Sequence, residues 1–420
     1  MMMRMRTDGW PLFGLICVAA LVFACGTGRA QDEVVRIGGE GRTCNEDPDC
    51  INRLHPDIPM AARARPGQTI VLKTRNASDF QLDPASTEED PRRDGPPVST
   101  VHPLTGPVYI EGAEPGDVLA VTLVDIEPGR FGYTSLSGLG LVADHFPDPY
   151  RVLWQLDETR AVSDDLPGVR IPNASFPGVV TVLPGAAEAA AMLEREKALA
   201  EAGGDVFLPE PINATPDEVC GPDAGTARDC LRTIPPREHG GNMDIRYLGV
   251  GVTIYLPCYV GGCGLAVGDL HYAQGDGEVS GTAIEMDATV TLTTELVKGG
   301  RTLLRGPHYE GPTRLLNIPS ERFYATTGFP LKDGGEVPPD LKYLTSPRIA
   351  SLRNLSKDLS LAARNALLEM IDYIADTYGL TREQAYIVAS VAVDLRIGQV
   401  VDAPNVGVTA VLPLDIFAAR

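Results

Sequence analysis

The 420-residue sequence is short of aromatics (6%, with two tryptophans), of histidine (six) and of basic residues. Its 36 lysines and arginines stand against 56 aspartates and glutamates, a formal net charge of −20. Each shortage excludes something. A phosphate-binding surface needs a basic face, so nucleic acid is not the expected partner. Few aromatics make a poor platform for sugar rings, which leaves a two-carboxylate glycosidase little support. No CxxC spacing occurs, which counts against a Cys/His zinc cluster. A GxSxG elbow and a Ser–Ser–Lys pattern are also absent.

Long apolar runs are scarce as well. LFGLICVAALVFA (12–24), behind Arg4 and Arg6, has the length of a signal h-region and is too short to span a membrane as a mature helix. Gly28-Arg29-Ala30 offers small residues for cleavage before Gln31, so residues 1–30 read as a signal peptide. VFAC (22–25) is an imperfect lipobox that would instead lipidate Cys25. The expectation is an exported, periplasmic protein, or alternatively a lipid-anchored one, with no stable transmembrane span. Beyond the leader six cysteines remain: Cys44, Cys50, Cys220, Cys230, Cys258 and Cys263. An even number in an oxidising compartment predicts disulfides, most simply paired in sequence order, and leaves no thiol nucleophile.

Glycine (44) and proline (35) are plentiful and predict many turns and short strands. ARPGQTIVLKTRNAS (64–78) opens on a Pro-Gly turn and alternates Ile70, Leu72 and Thr74 with Val71 and Lys73. AEPGDVLAVTLVDIEPG (113–129) repeats the form and closes on a second Pro-Gly, Pro128-Gly129. IEMDATVTLTTELV alternates Thr289, Thr291 and Thr293 with Val290 and Leu292, as a half-buried antiparallel strand does. A helix is predicted from 186 to a glycine pair at 203–204, inside a stretch of about 185–235 that reads as an insertion. A second helix over 360–379 puts Leu367, Ile371, Ile374 and Tyr378 on one face and stops at Gly379. Thr381 and Gln384 form a capping box for a third. The fold class is α+β: a β-rich body of antiparallel or mixed sheets and hairpins with C-terminal helices packed on them, one domain over 31–420.

Three acidic, glycine-rich stretches could carry chemistry. VHPLTGPVYIEGAEPGD (101–117) holds His102, Glu111 and Glu114. EHGGNMDIR (238–246) holds His239, Asn242 and Asp244. GDLHYAQGDGE (268–278) holds Asp269, His271, Asp276 and Glu278. Singly, each is readily a solvated hairpin turn. Together they gather three of the six histidines among carboxylates, the setting of a metal ligand or proton carrier. Asp269 and His271 stand two apart, so an extended segment points both to one side, where they could ligate one ion. Glu278 could fold back past Gly275–Gly277 as a general base, with Glu111 or His239 as alternatives. Asn242 or the amides of Gly240-Gly241 could steady an oxyanion. His55 and His308 read as loop residues, His145 lies outside the three stretches, and Glu285 and Asp287 read as solvated.

TGPVYIEGAEPGD, HGGNMD and GDLHYAQGDGE, in that order, together with the tail MIDYIADTYGLTREQAYIVASVAVDLRIGQVVDAPNVGV, resemble the acetamidase/formamidase family over roughly residues 52–412. The resemblance implies a hydrolase of C–N bonds in small linear amides that releases ammonia. It also implies a β-rich scaffold that dimerises and a divalent metal, zinc or calcium. It makes Asp79 a third candidate metal ligand beside Asp269 and His271. The leader, the 185–235 stretch and the cysteines at 258 and 263 depart from the family pattern and leave the substrate open. The rival reading is a periplasmic small-ligand-binding protein or inactive relative that keeps the scaffold. A binder has no reason to keep a histidine among three acids at this spacing, although a cation-binding structural loop could.

Overall fold

Period-two alternation of apolar and polar residues, broken by proline and glycine, makes this chain fold mainly as strands. The computed structural model describes residues 34–79, 97–201, 203, 206–300, 306–317, 320–331, 352, 354–355, 358–400 and 406–418. The stretch read as a signal peptide with its two candidate processing sites, most of the polar loop at 83–98 and the first part of the turn at 401–407 lie outside these residues. The principal strands, in chain order, are β1 (Ile70–Lys73), β2 (Leu104–Ile110), β3 (Val118–Leu136), β4 (Tyr150–Leu156), β5 (Phe176–Thr181) and β6 (Gly240–Asn242). They continue with β7 (Thr253–Pro257), β8 (Cys263–His271), β9 (Glu285–Val297), β10 (Phe323–Gly328), β11 (Asp394–Gln399) and β12 (Gly407–Pro413). The main helices are α1 (Ala186–Glu201), α2 (Leu359–Tyr378) and α3 (Arg382–Ala392).

One 15-stranded sheet runs β4–β3–β9–β8–β5–β6, with short strands at 160–162 and 171–172 beyond β4. The ladders along this path are antiparallel. Val35–Ile37 joins β1 and Ala62–Ala64 joins β2 in parallel, so the sheet is mixed. In β9, Met286, Ala288, Val290 and Leu292 are buried while Thr289 and Thr291 are half-buried, as the alternation predicts. Pro128-Gly129 does not end its strand: β3 runs on to Leu136. Pro128 sits opposite Ala288, where the β3–β9 register slips, and a slipped ladder tolerates the N–H that proline lacks.

The cysteines pair in sequence order, Cys44–Cys50, Cys220–Cys230 and Cys258–Cys263. Helix α1 presses Ala189, Met192 and Leu193 into a core of its own with Ile51, Leu54, Ile58 and the Cys220–Cys230 bridge. Helix α2 starts at Asp358, whose carboxylate accepts from the Leu361 amide at 2.9 Å, and ends at Gly379. Gly379 has φ 69°, a conformation that costs glycine nothing. Its buried face carries Leu367, Ile371 and Ile374. Burial of each such side chain contributes about 1.5–3 kcal/mol. The Thr381/Gln384 capping box forms as the sequence predicts. No helix among the described residues is long and apolar enough to cross a membrane.

The C-terminal elements grip one loop of the large sheet. Strands β10–β12–β11 form a separate antiparallel sheet. From α3, the Ser390 carbonyl accepts from Gly275 N (2.9 Å) and its hydroxyl from Ser280 N (3.1 Å). From β11, Leu395 N donates to Asp276 O at 3.0 Å. A Cβ at Gly275 would stand 2.0 Å from the Val393 carbonyl, so only glycine permits this approach. The loop held in this way is the one that follows His271.

Candidate active site

Strand β8 is buried along its whole length and ends at His271. There it lies between two partners, with Phe176 of β5 opposite His271 on one side and Glu285 of β9 on the other. The Phe176 ring meets the imidazole edge to face, with centroids 5.0 Å apart. Beyond β6, the Met243 and Asp244 amides donate to the Gly178 carbonyl in the middle of β5. This brings Asp244 over β5 to the same spot. Gly178 leaves room for it. A Cβ there would stand 2.6 Å from Asp244 Oδ1, 2.7 Å from Asp269 Oδ2 and 2.9 Å from His271 Cε1.

His271 is shared by two groups of candidate ligand atoms, each within 4.8 Å of one another: Asp244, His271 and Glu278, and Asp269, His271 and Glu285. Its Nε2 lies 3.5 Å from Asp269 Oδ2 and 3.4 Å from Glu285 Oε2. His102 Nε2 stands 3.8 Å from Asp269 Oδ2. Asn242 Nδ2 donates to Asp244 Oδ2 at 2.6 Å, and Gln274 bridges His271 Nδ1 and the Asp244 carbonyl, at 2.8 Å each. Asp244 Oδ1, Asp269 Oδ1, His271 Nε2 and Glu285 Oε2 are nevertheless buried with no hydrogen-bond partner among the described residues. Asp244, Asp269 and Glu278 also have left-handed backbones, with φ of 48°, 54° and 42°. Such strain costs of order 1 kcal/mol or more per residue and collects at functional sites.

The electrostatics follow from burial and crowding. Burial pushes the Asp244 carboxyl up to about 7. Burial, and then Asp244 beside it, pushes Glu278 well above the usual carboxylate range. Glu285 is raised by burial. Burial works against the charge on Asp269 as well, but His102 and His271 hold that carboxyl below its ordinary value. Burial would discharge His271, yet Glu285 and Asp269 keep its ring well above the ordinary histidine value. Burial and then Glu285 push the Tyr133 hydroxyl well up, so it stays protonated.

The structure thus brings together Asp269, His271, Glu278, Asp244 and Asn242. It also brings in Glu285, expected to be solvated, because the β8–β9 register sets Glu285 directly across from His271. Tyr133 joins for the same reason, opposite Glu285 in the next ladder. Gln274 and Gly178 complete the centre. Gln274 lies in the stretch 268–278, whereas Gly178 lies in none of the three stretches, and only strand pairing makes the two neighbours.

Other candidates fall elsewhere. Asp79 accepts from the Cys44 amide with both carboxylate oxygens (2.9 Å) and faces Arg75 Nη1 at 3.7 Å, so it braces the N-terminal segment rather than the centre. Glu111 lies on an exposed turn. Leu104 of β2 faces Gly268 while Tyr109 faces Cys263, so Glu111 stands at the opposite end of β8 from Asp269. His239 is buried at the far end of β5. Its Nδ1 is 2.8 Å from Thr181 Oγ1, and Thr181 faces Ala266 whereas Phe176 faces His271. Burial pushes the His239 ring down to about 3. The Gly240 amide donates to the Arg237 carbonyl (3.0 Å), and Asn242 orients Asp244. Asp276 takes a hydrogen bond from the Tyr247 hydroxyl. Glu114 is bound to Lys298, while His145 and His308 are exposed. His55 is buried in its own loop, its ring accepting from the Asp57 amide at 3.2 Å. Asp287 is half-buried.

The profile of the Acetamidase/Formamidase family matches residues 39–419. An acetamidase of Mycolicibacterium smegmatis is 33% identical over 363 residues, 80% of this chain and 84% of the relative. A formamidase of Methylophilus methylotrophus is 30% identical over 410 residues, 91% of this chain and 93% of the relative. Among solved structures, a gamma lactamase from Delftia acidovorans superposes with a TM-score of 0.81 at 31% identity, covering 92% of this chain and 94% of that one. The chain belongs to the acetamidase/formamidase family.

Proposed function

We propose that the centre around His271 hydrolyses the C–N bond of small linear amides such as formamide and acetamide, consuming water and releasing a carboxylic acid and ammonia. The observation that carries this reading is the set of buried, unpartnered atoms on Asp244, Asp269, His271 and Glu285, left where a reacting group has to be held. An amide is resonance-stabilised. Its hydrolysis needs a proton acceptor for water, an electrophile at the carbonyl oxygen and a proton donor for the departing nitrogen. Asp244 and Glu278, side by side and both raised by burial, share a proton between them. In the form that carries the pair's proton on Asp244, Glu278 takes a proton as the water oxygen bonds to the carbonyl carbon. The pair then returns a proton to nitrogen as the C–N bond breaks. Asn242 keeps Asp244 in place for this exchange.

One imidazole nitrogen among carboxylate oxygens, several of them unpartnered, suits a divalent cation, with zinc or calcium as candidates. Asp269, His271 and Glu285 would hold it, with Asp244 and Glu278 at hand. When bound, the cation supplies Lewis-acid polarisation of the amide carbonyl. A second reading, the opening of a gamma lactam to an amino acid, is favoured by the likeness to the Delftia acidovorans gamma lactamase.

One assay separates the readings: purified protein, with and without chelator, given formamide, acetamide and 2-pyrrolidinone. Ammonia from the linear amides is the expected result. Amino acid from the lactam without ammonia from the others favours the second reading, and no turnover of any of them contradicts both. Export belongs to the same proposal and is supported by the three disulfides and the leader. Homodimerisation rests on family membership. Intact mass of the mature chain and light scattering test these two.

A further inference from the structure

Gln274 is buried and sits three residues beyond His271, at the start of the loop gripped by α3. Its amide meets two groups of fixed polarity. Nε2 donates to the main-chain carbonyl of Asp244 at 2.8 Å, and a carbonyl can only accept, so the amide has one orientation. Oε1 is thereby turned to His271 Nδ1, also at 2.8 Å. An amide oxygen only accepts as well, so Nδ1 must carry a hydrogen. The other ring nitrogen, Nε2, faces Asp269 Oδ2 and Glu285 Oε2. The Phe176 ring packs edge to face against the imidazole and helps fix its plane.

We infer that Gln274 is a positioning residue that keeps a hydrogen on His271 Nδ1, so that proton exchange and any metal coordination occur at Nε2 alone. The inference rests on His271 belonging to the reactive centre, but the hydrogen bond can be read without turnover. When the ring that Asp269 and Glu285 favour in its charged form gives up a proton, a ring without this bond could lose it from either nitrogen. Gln274 removes that choice. Its second contact does something separate: it ties the Asp244 loop to the end of β8.

Two variants of the full chain separate these roles. Gln274→Glu keeps an acceptor for Nδ1–H but loses the donor to Asp244. Gln274→Met has similar length and loses both. In protein labelled with 15N at histidine, the slowly exchanging Nδ1–H signal of His271 is identified by its absence from His271→Ala. We expect wild type and Gln274→Glu to show it and Gln274→Met to lose it. We also expect kcat/KM to fall about 10–100-fold in Gln274→Met, as for other residues that orient a reactive histidine, and less in Gln274→Glu. Absence of the signal from wild type, its persistence in Gln274→Met, or its loss from both variants alike would overturn the assignment. The last result would leave Gln274 only its tie to Asp244. If the signals behave as expected while no amide is hydrolysed, the tautomer assignment stands and the amidase reading fails.

Discussion

Two regions of this molecule bury several carboxylates, and they treat them in opposite ways. In the N-terminal segment, Asp47 accepts from the amides of Gly39 (3.0 Å), Glu40 (3.2 Å) and Asp49 (3.0 Å) and from Arg75 Nη2 (2.9 Å). Asp49 accepts from Gly38, and Asp79 from Cys44. These oxygens face donors at ordinary distances, so the acids lock a loop. Around His271 the carboxylates face one another and the His271 and His102 rings, and several atoms have no partner. Burial of charge is common to both regions, so it does not distinguish function. What distinguishes it is charge held in place without being satisfied.

The comparison can be broken from either side. The largest effect is expected from His271→Ala, which removes the residue common to both ligand groups. It should lower kcat for amide hydrolysis by about 10³–10⁴-fold, near the upper limit for a positioned acid–base group, and lower the affinity for added zinc. Unchanged turnover would reduce the centre to a turn. Asp47→Ala should do the reverse. Losing one partner of a buried pair costs about 3–5 kcal/mol, visible in urea unfolding, while kcat of the folded fraction stays near wild type. A large fall in kcat without loss of stability would erase the distinction between the regions.

Gly178→Ala tests the space at the centre. Its Cβ would push aside Asp244, Asp269 and His271, and displacement on the 1 Å scale costs about 10²-fold in rate. Activity near wild type would show that the cluster does not need this geometry. The smallest effect is a pH dependence. Burial takes His239 from its ordinary 6.5 down to about 3. The unfolded chain therefore binds that proton first, and the stabilisation is complete above pH 6.5 and lost as pH falls toward 3. The slope is at most about 1.4 kcal/mol per pH unit from this group. His239→Gln should flatten the fall in melting temperature between pH 6 and 4, and an equal slope in both proteins would contradict it.

Local rules made much of this legible in the sequence. The α2 stop at Gly379, the Thr381 capping box, the alternation of β9 and the cysteine pairing each depend on residues close together in the chain. Asp269, His271 and Glu278 were visible for the same reason, packed within one glycine-rich stretch. Glu285 was not: its own neighbours suggest a solvated strand start, and only the register opposite His271 buries it. Asp79 differs in the other direction. Its position after a strand suited a ligand, but Cys44 and Arg75, contributed by folding, claim its oxygens. Pro128-Gly129 looked like a turn because a ladder slip cannot be seen in one strand alone.

The most direct test of the central claim is Glu278→Gln, which keeps size and hydrogen bonding but removes the base. Ammonia release from formamide and acetamide should be measured beside unfolding of the same preparation. The account predicts kcat lower by about 10²–10⁴-fold with stability retained. Near-full activity in that variant would contradict it and take the proton transfer away from the Asp244–Glu278 pair.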